Sequence, residues 1–184
     1  MTSGPPDRAP SFQRRIPPGD DRERRVCDHC GFVDYENPRI IVGSVSIWED
    51  KVLLCRRAIE PRRGHWTLPA GYMELGESPE AGARREAWEE ARAKLETECL
   101  LGVYGLPHLG QVQLIYRARL LEPTIAPGPE SEEVALFGFD ELPEVLAFPS
   151  VHWALEHYQE TRELEEFAPR TAPADILEHP LGGL

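Results

Sequence analysis

The chain has little with which to hold nucleic acid or lipid. Its 184 residues carry 20 Lys plus Arg against 32 Asp plus Glu, a formal charge of −12. That balance disfavours non-specific attraction to nucleic acid or to an anionic membrane surface. No apolar run approaches the roughly 18 residues of a membrane-spanning helix, and the opening MTSGPPDRAPSFQRR lacks the apolar core of a secretory leader. Cysteine is scarce too: Cys27, Cys30, Cys55 and Cys99 are too few for a disulfide framework in a chain of this length, which points to a reducing compartment. The expectation is a cytoplasmic protein with no nucleic-acid and no membrane partner. An anionic substrate would need local arginines or metal ions.

What is present has a clear order. Residues 1–25 are rich in Pro, Asp and Arg without periodicity, and read as a flexible arm. From Asn37-Pro38 onward, RIIVGSVSIWEDKVLLCRRA holds two aliphatic runs around Glu49-Asp50, a hairpin signal. Residues 112–120 alternate as a strand, a further strand is expected at 134–139, and helical patterns cover 79–93 and 150–164. Strands flanked by helices without a regular βαβ rhythm predict an α/β (α+β) fold with a mixed sheet between helices. Residues 166–184 read as an irregular tail.

The segment PAGYMELGESPEAGARREAWEEARA poses the chemical question. Ser78 and Pro79 specify a helix start as N-cap and first helical residue. At about 100° per residue, Ala83, Ala87, Trp88, Ala91 and Leu95 share one side, while Glu86, Glu89 and Glu90 crowd within an arc of about 100° on the other. Glu86 and Glu90 are a like-charge i,i+4 pair, costing a few tenths of a kcal/mol when solvated and more when buried. A solvated acidic face is one account. A hard divalent cation, which prefers oxygen donors and shares coordination with substrate phosphates, is the other.

The spacing of the whole segment favours the cation. Gly71, five residues, Glu77, seven residues and then Arg85-Glu86-Ala87-Trp88-Glu89-Glu90 resembles the Nudix box, whose fixed Gly, Glu, Arg-Glu and Glu-Glu positions lie in a loop-helix context. One position departs, since Arg92 stands where the family has glycine. The resemblance extends over about residues 22–155, to the Nudix subgroup of ADP-ribose-type and FAD pyrophosphatases with an N-terminal zinc ribbon. It implies a Nudix-type α/β/α sandwich over residues 38–165. It also implies a hydrolase that splits a nucleoside diphosphate linked to another moiety, such as ADP-ribose, FAD or an NADH-like dinucleotide. Two alternatives are a triphosphate-sanitising pyrophosphohydrolase and a non-catalytic nucleotide-binding regulator, and a homodimer is plausible by the same resemblance.

The resemblance further implies roles for residues. Glu86 and Glu90, supported by Glu89 and the main-chain carbonyl of Ala70, would hold Mg²⁺ or Mn²⁺. Gly71, Glu77 and Arg85 would shape the box. The general base is sought beyond the helix, with Glu130 and Glu133 in GPESEEV the candidates beside Glu89. Arg56 or Arg57 would steer the diphosphate, since only one faces the cleft if the strand alternates. Trp66 and Tyr116 would stack on a base or flavin ring, although core packing is the commoner fate of such aromatics. Cys27 and Cys30 have the spacing of half a zinc site, but residues 1–26 contain no cysteine. Residues 26–37 therefore read as the remnant of a ribbon, with zinc not expected.

Overall fold

The chain divides at the Asn37-Pro38 step, where proline holds the preceding residue extended. In the computed structural model, which describes residues 11–174, one unit ends at Asn37 and another begins at Pro38.

The first unit is an antiparallel sheet of β1 (Phe12–Arg15), β2 (Arg24–Cys27) and β3 (Val33–Asp34), in that order. The arm expected over 1–25 is therefore, from residue 11 on, built into a sheet, while residues 1–10 lie outside the described residues. Charge contacts hold it where apolar alternation is missing. Arg24 bonds Asp20 at 2.9 Å across the β1–β2 turn, Arg25 reaches Asp34 at 3.2 Å, and the Arg25 guanidinium lies 5.1 Å from the centre of the Phe12 ring. Such contacts leave no hydrophobic period in the sequence.

The second unit runs β4 (Arg39–Trp48), β5 (Lys51–Arg57), β6 (Trp66–Thr67), β7 (Ala70–Tyr72), α1 (Pro79–Ala91), β8 (Leu95–Leu106), β9 (Gln111–Leu120), β10 (Ser131–Gly138), α2 (Pro149–Thr161) and β11 (Arg170–Thr171). Its mixed sheet has the order β10-β5-β4-β9-β8-β11, with β6 on β5 and β7 on β4. β4 runs parallel to β9 and β11 parallel to β8, while the other neighbours are antiparallel. Residues 170 and 171 thus belong to the sheet rather than to an irregular tail, and residues 175–184 lie outside the described residues.

Strand alternation divides the core between two faces. Val52 and Leu54 pack with Val45, Leu101 and Ile115 against Val151, Ala154 and Leu155 of α2. Leu53 and Cys55 pack with Ala118 and Leu120 against Ala87 and Ala91 of α1. One helix therefore covers each face, which is the α/β/α sandwich.

The buried stripe of α1 differs from the expected one. It comprises Gly82, Ala83, Glu86, Ala87, Glu90 and Ala91, whereas Trp88 is exposed and Leu95 belongs to β8. The helix thus carries two of its three clustered carboxylates inward, beside its alanines. Its start is as expected, with the Ser78 hydroxyl accepting the Ala81 amide at 3.3 Å. It ends at Arg92, which takes the left-handed conformation with φ 53° and donates its amide to Trp88 at 2.9 Å. The Arg92 guanidinium lies 5.7 Å from the Trp88 ring centre, a contact that recovers part of the strain. Arg92→Gly is expected to stabilise the domain by up to about 1 kcal/mol, raising Tm by about 2–4 °C in thermal unfolding.

Candidate active site

Two glycines let loop and helix meet. A Cβ on Gly71 would fall 2.5 Å from the Glu86 carboxylate, and one on Gly82 would fall 2.7 Å from both Glu77 and Val42. Neither residue can be enlarged without moving a carboxylate of the box.

Arg85 then ties the elements together. Its Nε and Nη2 donate to the two oxygens of Glu77 at 3.0 and 2.8 Å, and Nη2 also donates to the Tyr72 carbonyl at 3.0 Å. Nη1 donates to Glu86 at 2.7 Å and Glu89 at 3.0 Å. The bidentate fork explains why Glu77 is held down at about 2: the Arg85 bonds act first and the Glu74 amide second. One guanidinium thereby fixes the loop carboxylate and partly neutralises two of the helix glutamates.

Glu90 has no such arginine bond. Burial pushes its carboxyl up to about 8, against the pull of the Ala70 amide, which donates to it at 3.1 Å, and of the nearby Arg57 charge. Burial also raises Glu86, despite its bond to Arg85. The Ala70 amide reaches Glu90 because Ala70 sits at an alternate position of the β7–β4 ladder. Ser44 donates to Pro69 and Met73 to Ile40 on either side of it, so the peptide groups of Ala70 turn away from β4 and towards the helix.

The segment after β9 completes the wall. The amides of Ala126 and Gly128 donate to the last helical carbonyls, Ala91 and Glu90, at 2.9 Å each. Ala58 donates to the Glu130 carbonyl at 2.8 Å, so the backbone of Glu130 is pinned between the helix end and the end of β5. A Cβ on Gly128 would fall 1.7 Å from the Glu89 carbonyl oxygen, and backbone must move to admit it. Gly128→Ala is expected to cost about 1–3 kcal/mol in denaturant unfolding. It should also lower turnover, because the displaced segment carries Glu130.

A cavity of about 930 Å³ opens over these groups, lined among others by Arg57, Ala70, Gly71, Arg85, Glu86, Glu89, Glu90 and Glu130. The same lining includes Tyr72, His108, Gln111, Phe148 and Trp153. Of the residues expected to act in catalysis or to bind metal or substrate, four lie elsewhere. Arg56 turns to the other side of β5 and pairs with Glu133 at 3.1 Å, which removes both from the cavity. Trp66 packs edge-on against Phe137 with ring centres 4.9 Å apart, at the margin of the α2-side core. Tyr116 is buried, its hydroxyl donating to Glu80 at 3.2 Å. The aromatics that do line the cavity are Tyr72, Phe148 and Trp153. Phe148 arrives on a segment docked by the backbone of Trp66, which accepts from Ala147 at 2.7 Å and donates to Val145 at 3.1 Å.

Among the described residues, no three His, Cys, Asp or Glu side chains converge to hold a metal ion in this arrangement, in which Arg85 engages Glu86 and Glu89. The donor chemistry nevertheless suits a hard divalent cation. Glu86 and Glu90 are buried oxygen donors held above the usual carboxylate range, which is the condition a cation relieves.

Comparison with known proteins agrees with this construction. The NUDIX domain model matches residues 37–160, and a Nudix N-terminal zinc-ribbon model matches residues 9–36. A solved NUDIX hydrolase from Nitrosomonas europaea is 46% identical, with a TM-score of 0.82 over 88% of this chain and 93% of that one. A MutT-like protein of Streptomyces ambofaciens is 36% identical over 59% of this chain and 69% of its own length. An ADP-ribose pyrophosphatase of Methanocaldococcus jannaschii is 29% identical over 62% of this chain and 69% of its own length. The chain belongs to the NUDIX domain family and is a Nudix hydrolase.

Proposed function

We propose that this hydrolase splits the pyrophosphate bond of a nucleoside diphosphate linked to a second moiety, of the ADP-ribose, FAD or NADH-like kind, giving two monophosphates. The observation that carries the reading is the pairing of buried Glu86 and Glu90 with Arg57 and Arg85 around one cavity of about 930 Å³. That volume lies in the range of small-molecule and cofactor sites, about 300–1,000 Å³. The resemblance to an ADP-ribose pyrophosphatase supports the substrate class.

Mg²⁺ or Mn²⁺, held by Glu86 and Glu90 with Glu89 and the Ala70 carbonyl, would neutralise the diphosphate and polarise the attacking water. The protein supplies the rest. Arg57 is oriented by donating Nε to the Pro61 carbonyl at 2.8 Å and lies over the Phe148 ring at 5.2 Å, leaving a fixed cation at the cavity wall for a phosphate oxygen. Arg85 keeps Glu77 and the Tyr72 carbonyl locked to the helix, so the carboxylates do not splay when charge enters. Glu130 accepts the proton that the water gives up.

Incubation with ADP-ribose, FAD and NADH in Mg²⁺ or Mn²⁺ is expected to yield AMP and the complementary monophosphate. Release of inorganic pyrophosphate from nucleoside triphosphates, with those three substrates untouched, would establish the sanitising activity instead.

A further inference from the structure

The zinc ribbon implied by the match over residues 9–36 does not fit the residues that form it here. A structural zinc site takes four ligands, commonly two cysteine pairs. Residues 1–26 contain no cysteine, and among the described residues no three His, Cys, Asp or Glu converge on one point. The strand facing Cys27 carries Phe12 opposite it. The neighbouring Ser11 is already engaged: its carbonyl accepts from the Asp28 amide at 3.0 Å, and its hydroxyl donates to the Asp28 carboxylate at 2.9 Å. Beside the backbone ladders, the Arg25–Asp34 ion pair and the Arg25–Phe12 contact tie the strands of this sheet.

One cysteine turn remains fully formed. Cys27 donates its amide to Phe32 at 2.8 Å and accepts from Gly31 at 2.9 Å, and Gly31 takes a left-handed φ of +74°. This folds the turn back, and hydrogen bonding from the backbone of Cys30 and His29 and from the Cys30 thiol favours the thiolate of Cys27. Cys27 is buried and Cys30 is exposed. The arrangement is asymmetric, with an outer thiol open to reagents and an inner one shielded from them.

We infer that residues 11–37 are a metal-free form of the ribbon whose Cys27–Cys30 pair is a dithiol that exchanges with low-molecular-weight disulfides. Cys30 thiolate attacks the external disulfide, forming a mixed disulfide and expelling one thiolate. Cys27 thiolate then attacks the Cys30 sulfur, closing the internal disulfide and expelling the second. The protein is oxidised by two electrons, the external disulfide is reduced to two thiols, and these take up the two protons released. The hydrogen bonds to Cys27 lower its thiol below the usual value and favour the second attack near neutral pH. A unit of fewer than about 40 residues ordinarily depends on a metal or a disulfide, and the pair offers the second where the first has no ligands.

The test uses the full-length protein, purified without chelator. Elemental analysis is expected to find zinc far below one per chain. After equilibration in buffers of reduced and oxidised glutathione and trapping by alkylation, the tryptic peptide Val26–Arg39 is expected to pass from two alkylated thiols to an internal disulfide as the buffer becomes more oxidising. Cys27→Ser is expected to stop at the mixed disulfide of Cys30 with glutathione. Stoichiometric zinc would overturn the inference. So would a wild-type peptide that remains as free thiols, or as the glutathione adduct, at every buffer ratio.

Discussion

Replacing Glu90 with Gln is expected to lower turnover by on the order of 10²–10³-fold, the usual cost of removing one preorganised charge-stabilising group from a reaction centre. The same replacement is expected to make the metal-free protein more stable at pH 8. Both effects have one cause, a carboxylate buried without a cation of its own. In the folded protein Glu90 keeps its proton up to about pH 8, whereas in the unfolded chain it loses it near 4.5. Between those values the folded state binds more protons than the unfolded one, so stability falls as the pH rises. Below pH 4.5 both states are protonated and the loss is absent; above about 8 it is complete. Each tenfold change in proton affinity is worth about 1.4 kcal/mol, so the ceiling on the loss is about 5 kcal/mol. Gln keeps an acceptor for the Ala70 amide and carries no charge. Thermal unfolding without metal should therefore show the variant and the parent close together at pH 4.5, with the variant progressively higher up to pH 8. Saturating Mg²⁺ should raise the parent at pH 8 and leave the variant nearly unmoved. Full activity in the variant, or a gap in Tm that does not grow with pH, would remove Glu90 from the proposed metal site.

The parts of the fold that could be read in the sequence were those where one period runs unbroken. β4, β5, β9 and β10 alternate or run apolar, α1 has its N-cap and proline, and all stand close to their expected positions. The longest strand, β8, shows no simple alternation in the sequence because its pattern shifts phase twice. Register slips between Thr97 and Cys99 and again between Leu100 and Gly102 move successive side chains to the wrong face for a simple alternation. β1 and β2 carry no apolar alternation for a different reason, since arginines and carboxylates help to hold them. At the site, the Nudix box residues come together because they lie on one loop and one helix, and local spacing is enough to place them. Residues from distant segments are another matter. Phe148 and Trp153 reach the cavity through the docking of residues 145–147 on Trp66, a contact between segments about 80 residues apart that no local pattern announces. Trp66 itself attracted the stacking role because it precedes the box, yet its side chain belongs to the core while its backbone places the aromatics that line the site.

The choice between Glu130 and Glu133 turns on the same kind of long-range detail, and it leads to the second large effect. The two residues are three apart, and β10 shifts register between Ser131 and Glu133. That irregularity separates their fates. Glu132 and Glu133 turn to arginines on the far side, Glu132 to Arg63 at 2.9 Å and Glu133 to Arg56 at 3.1 Å. Glu130 precedes the shift and lines the cavity, where its charge contributes to raising both Glu86 and Glu90. Its backbone is fixed by Ala58, and the turn before it is closed by Ser131 donating to Gly128 at 3.1 Å. With its backbone so held, Glu130 is kept at the cavity wall, where its carboxylate would take a proton from water. Glu130→Gln is accordingly expected to reduce kcat by about 10²–10⁴-fold with little change in KM. Glu133→Gln is expected to leave kcat within a few-fold of the parent, since it removes only a half-exposed ion pair worth about 1 kcal/mol or less. The reverse ranking of the two variants would place the base on the far side of β10, and the cavity described here would then have to reorganise before turnover.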